Sequence, residues 1–82
     1  MRMDLDRRVL KVLADGEKAE FDLVAAIGLD AATIRNCCLR LHRDWLVMTS
    51  LTRLEIRTYW EPRFRITESG RQLLEDWEGE VS

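Results

Sequence analysis

Residues Gly28 to Trp45 read GLDAATIRNCCLRLHRDW, and this stretch decides how the rest of the chain is understood. Gly28 suits the left-handed conformation that closes a preceding helix. Asp30 suits the N-cap of the next one, where its carboxylate accepts a backbone N–H. At 100° per residue, Ile34, Cys37, Cys38, Leu41 and Trp45 fall on one side of a helix running from about Ala31 to Trp45. Thr33, Arg35, Asn36, Leu39, Arg40 and Arg43 lie around the remainder. An apolar seam opposite a basic face predicts a helix that packs inward and offers arginine outward.

Upstream, Glu20 to Ile27 predicts a helix with Phe21, Val24 and Ile27 inward. Two helices joined by a short glycine-containing turn form the helix-turn-helix pattern. In that motif the second helix enters the DNA major groove. A first helix is expected from about Asp4, as N-cap, to Ala14, with Leu5, Val9, Val12 and Leu13 at helical spacing and DGEK ending it.

Downstream of Trp45 the period changes. LVMTSLTRLEIRTYWEPRFRIT is rich in Thr, Ile, Val and aromatics, as strands are. The expected hairpin has strands near 47–57 and 63–67 and a TYWEP loop. Its register sets Ile56 against Phe64 and Leu54 against Ile66, all four inward, and Glu55 against Arg65 and Arg57 against Arg63. The last pair is destabilising by itself, and its tolerance suggests an anionic partner. Pro62 suits the loop end or an edge. A final helix is expected from an N-cap at Thr67 to about Trp77, with Leu73, Leu74 and Trp77 inward and residues 78–82 frayed.

Eighty-two residues, 46% hydrophobic and 34% charged, predict a single globular domain spanning 1–82, with its core over about 4–77. The net charge of −2 conceals an uneven distribution. Residues 31–66 hold seven arginines against Asp44, Glu55 and Glu61, whereas both flanking segments are net acidic. Arginine matches phosphates and guanine edges. A solvated surface with local ion pairs, such as Arg40 to Asp44, is the plainer alternative. No apolar run approaches a membrane span. The first residues are charged, unlike a secretory leader, and the adjacent Cys37 and Cys38 make no disulfide framework, so a cytoplasmic protein is expected.

The order helix, helix, turn, helix, hairpin, helix is that of a winged helix, mainly α with a β-hairpin wing. LVAAIGLDAATIRNCCLRLHRDWLV resembles the helix-turn-helix of the multiple-antibiotic-resistance (MarR) regulators and their winged relatives, through Leu23, Gly28, Leu29, Asp30, Thr33, Ile34 and Leu41. FRITESGRQLLE is similar to their strand-to-helix signature of Thr, Glu, any residue, Gly, Arg, any residue, Leu-Leu. The sequence departs from that pattern at Trp45, where a small residue is usual. The end helices that dimerise the family's members are not expected in these 82 residues.

The resemblance implies a small DNA-binding transcriptional regulator. Helix 31–45 would read the major groove of double-stranded DNA through Thr33, Arg35, Asn36, Arg40 and Arg43. The wing would reach the backbone through Arg57 and Arg63, with Arg53 and Arg65 beside them. Tyr59 and Trp60 admit three readings: packing on the core, anchoring a protein partner, or insertion in a groove. The alternative function is a winged-helix protein-interaction module, such as a phage-type inhibitor or adaptor, gripping its partner through the wing. A homodimer through Leu10 and Trp77 is a further expectation. Cys37, Cys38 and His42 are too few for a tetrahedral metal site. No phosphate loop, nucleophile elbow or HExxH is present, so neither an enzyme nor a cofactor is expected.

Overall fold

The computed structural model describes residues 2–54 and 59–81, with the side chains of 4–50 and 62–79. The chain runs α1 (Arg2–Leu13), β1 (Lys18–Ala19), α2 (Glu20–Ile27), α3 (Ala31–Arg43), β2 (Val47–Leu54), β3 (Tyr59–Ile66) and α4 (Glu68–Val81). The strands form one antiparallel sheet in the order β1-β3-β2. Helical periodicity fixes what each helix buries. Val9, Leu10 and Leu13 of α1 meet Leu23 and Ile27 of α2, Ile34, Cys37, Cys38 and Leu41 of α3, and Leu74 of α4. Val47 and Phe64 close this cluster from the sheet. Leu73 and Trp77 pack against it half-buried.

The turn between α2 and α3 follows its residues. Gly28 takes φ 82°, and its N–H donates to the Val24 carbonyl at 2.8 Å. Asp30 caps α3: one carboxylate oxygen accepts from the Thr33 N–H at 3.1 Å and the other from the Thr33 hydroxyl at 2.6 Å. These two bonds hold the Asp30 carboxyl below its ordinary range, the hydroxyl bond being the larger cause. Thr67 caps α4 in the same way, accepting from the Gly70 N–H at 3.0 Å.

Several sequence expectations are corrected. α1 begins at Arg2, so Asp4 lies in its first turn rather than at the N-cap. In α2 it is Leu23 that faces the core, while Phe21 is 75% exposed. α3 stops at Arg43, and Trp45 lies beyond it with φ 61° and 65% of its surface exposed. The left-handed residue turns the chain toward β2 and swings the indole off the seam. It rests edge-on to His42, ring centroids 5.9 Å apart. Leu10 is fully buried and offers nothing to a dimer. α4 continues to Val81, past the expected end at Trp77.

The wing differs most. Val47 pairs with Ile66, Met48 with Arg65, Thr49 with Phe64 and Ser50 with Arg63. The expected partners Ile56–Phe64, Leu54–Ile66, Glu55–Arg65 and Arg57–Arg63 are therefore displaced. The register is set at the open base of the hairpin, where the Thr67 N–H donates to the Leu46 carbonyl at 3.1 Å. Residues 59–62 of the expected loop belong to β3, as two adjacent aromatics favour. Ile56, expected in the core, and Arg57 lie outside the described residues. β1 was not expected at all. It pairs Lys18 with Phe64 and Ala19 with Arg63, and stops short of Pro62.

Candidate nucleic-acid interface

The capped start of α3 fixes the phase of its outward residues. Arg35, Asn36, Leu39 and Arg43 are exposed, Thr33 and Arg40 half-buried. Thr33 is held by Asp30. It shares with Asn36 an open depression of about 660 Å³, bounded by Asp4, Leu5, Arg8 and Leu29. Arg35 and Leu39 overhang a second depression of about 500 Å³, floored by Thr49, Ser50, Pro62 and Phe64. Helix α3 and the base of the wing thus form one surface.

The arginines of that surface are not all alike. Arg35 donates from Nε to Glu20 Oε1 at 2.6 Å and from Nη2 to Glu20 Oε2 at 3.0 Å, a two-pronged pair. Glu20 is 8% exposed. Arg40 donates to Asp6 Oδ1, which also accepts from the Cys37 thiol at 3.2 Å. The bond to Asp6 raises the Arg40 guanidinium above its ordinary value. Arg63 donates from Nε to Glu17 Oε2 at 3.0 Å. The side chains of Arg43 and Arg65 are exposed and make no ion pair among the described residues. The expected Arg40–Asp44 pair is replaced by Arg40–Asp6.

The sequence reading missed Glu20, Asp6 and Glu17. Their partners are distant in sequence, so no local spacing signals them. Arg35 and Arg40 were expected simply to project outward; each instead leans on an acid of an earlier element. The side chains of Arg53, Arg57, Tyr59 and Trp60 lie outside those described.

Burial pushes both thiols up, to about 12, with the Asp6 carboxylate adding to the effect on Cys37. Both therefore stay protonated at neutral pH, unsuited to metal ligation or nucleophilic attack. His42 Nδ1 lies 3.0 Å from the Val47 carbonyl, a bond that tethers the end of α3 to β2. Among the described residues, no group of three or more His, Cys, Asp or Glu is placed to hold a metal. No helix among them is long and apolar enough to cross a membrane.

No family model matches the sequence, and no curated protein matches it. Solved structures do. PadR of Bacillus subtilis, determined in complex with operator DNA, superposes with a TM-score of 0.81 at 20% identity over 89% of this chain and 45% of that one. The fold is a winged helix. BpsR of Bordetella bronchiseptica, whose DNA binding is regulated by 6-hydroxynicotinic acid, gives a TM-score of 0.73 at 29% identity over 88% of this chain and 49% of that one. A transcriptional regulator of Thermoplasma acidophilum gives 0.88 at 15% identity over 98% and 82%. The chain spans about half the length of PadR and of BpsR.

Proposed function

We propose that this winged helix is the DNA-binding domain of a transcriptional regulator, with α3 in the major groove and the wing on the backbone. The observation that carries the reading is the outward face of α3. It places Asn36 and Arg43 in solvent beside Arg35, on the helix that follows the capped turn. Asparagine bonds adenine and arginine bonds guanine in pairs, each with about 1–3 kcal/mol of discrimination. The likeness to PadR, seen with operator DNA, supports the same reading. So does the likeness to the other DNA-binding regulators. A closer kinship with the MarR type rests on the two motifs around Gly28 and Gly70. Thr33, already bonded to Asp30, serves to hold the helix start against the groove. Arg40, Arg63 and Arg57 complete the contact set.

A homodimer would present two α3 helices to half-sites about one helical turn apart. Its interface must be other than Leu10. The test is selection from a random-sequence duplex pool, followed by mobility shift. Enrichment of a sequence that Asn36→Ala no longer prefers, with little change in salt dependence, supports the reading. A folded protein that enriches no sequence would sink it and leave the protein-interaction module, which a lysate pull-down lost on Trp60→Ala would then support.

A further inference from the structure

Three described arginines of the proposed interface are tied to acids, and all three acids come from residues 6–20. Asp6 of α1 holds Arg40, Glu17 of the α1–β1 turn holds Arg63, and Glu20 of α2 holds Arg35. The choice of partner is informative. Asp44 lies at i+4 from Arg40 and is the nearer acid in sequence, yet Arg40 crosses to Asp6. Arg43 and Arg65 carry no such acid among the described residues. The net-acidic N-terminal segment is thus folded onto the basic island at chosen points, rather than held away from it.

We propose that Asp6, Glu17 and Glu20 are specificity-determining residues of this face: their carboxylates occupy arginines that would otherwise bind backbone phosphate, and so suppress sequence-independent binding. This rests on the nucleic-acid reading above. The physical basis is competition. Most non-specific affinity comes from neutralising phosphates with Lys and Arg. An arginine already bonded to a carboxylate gains less from a phosphate, because one charge-assisted bond replaces another. The acid, once displaced, also lies beside a phosphate of like charge. Base-edge contacts from Asn36 and Arg43 do not meet this competition. The selected complex, anchored by those base edges, draws less on the paired arginines than a sequence-independent complex does, so the acids lower affinity for random sequence more than for the preferred duplex.

Glu17 offers the cleanest test, because its pair with Arg63 is surface-exposed and its loss leaves the core untouched. Random-sequence duplex DNA and the selected duplex are titrated across a salt series with the parent, Glu17→Gln and Glu75→Gln. Glu75 is an exposed acid of α4, so its replacement changes net charge equally without touching an interface arginine. Glu17→Gln is expected to tighten random-sequence binding by about threefold, the scale of one exposed ion pair, and to narrow the ratio between selected and random DNA. Adding Arg63→Ala should abolish that gain. Equal tightening by Glu75→Gln, or none by Glu17→Gln in a parent that binds its selected duplex, overturns the proposal alone. A folded parent that binds no duplex removes the nucleic-acid reading, and this proposal with it.

Discussion

Trp45 illustrates how one backbone angle overrides a side-chain pattern. Its position on the helical seam predicted burial, and its replacement by Ala would then have cost several kcal/mol. With φ at 61° the residue leaves the helix and its ring lies in solvent. Trp45→Ala is therefore expected to cost less than about 1 kcal/mol in urea unfolding, as surface substitutions do. Trp45→Gly should exceed the Ala variant by about 1 kcal/mol, since only glycine enters the left-handed region without strain. Arg35 behaves in the opposite way. It was read as a surface contact, but its removal strands a buried carboxylate at Glu20. Arg35→Ala should cost about 1–3 kcal/mol, whereas Arg43→Ala should stay within about 0.5 kcal/mol. Equal thermal shifts for the two would contradict the Glu20 pairing. Binding losses of Arg35 variants must accordingly be compared at matched folded fraction.

At the scale of elements, the start of α4 is a close junction. A Cβ added at Gly70 would meet the Leu46 carbonyl oxygen at 2.2 Å and Ile66 Cγ1 at 2.8 Å. That explains in physical terms why the Thr-Glu-any-Gly signature needs its glycine here. The Leu46 carbonyl also accepts the Thr67 N–H, and the Thr67 hydroxyl donates to the Trp45 carbonyl at 2.6 Å. Neither side can retreat without breaking these bonds. Gly70→Ala is expected to destabilise by about 1–3 kcal/mol, the range for forced overpacking, despite the better helix propensity of alanine. A melting temperature equal to or above the parent's would show that the junction is looser than described. The same bonds pin the wing register at its base. The hydrophobic alternation of residues 47–66 alone admits several registers, and this is why the sequence-based pairing slipped.

Across the whole molecule, helices whose apolar stripes meet bury two thiols at their centre. Both are pushed from an ordinary 9.0 to about 12 by burial. Below pH 9 folded and unfolded chains alike keep these protons, and the stabilisation from the neutral thiols is complete. Between pH 9 and 12 only the unfolded chain releases them, so stability must fall as pH rises. The urea midpoint is expected to drop more steeply from pH 8 to pH 10.5 in the parent than in a Cys37→Ala, Cys38→Ala double variant, with other titrating groups common to both. Parallel declines would place the thiols nearer solvent.

Much of this architecture was legible in the sequence because it rests on local signals. Gly28 and Asp30 bound the turn, Thr67 starts α4, and the 3.6-residue period orients Ile34, Cys37, Cys38, Leu41 and Leu74 inward. Each of these follows from backbone sterics or from capping bonds within a few residues. The basic face of α3 was legible for the same reason. Tertiary structure alone decided what that face consists of. Glu20 with Arg35, Asp6 with Arg40 and Glu17 with Arg63 are pairs between elements, set by how α1, α2 and the sheet pack around α3. β1 exists only because β3 offers it an edge, and Leu10 is core because α2, α3 and α4 all pack against α1. Such contacts depend on the relative placement of segments far apart in the chain, which no local period or spacing encodes.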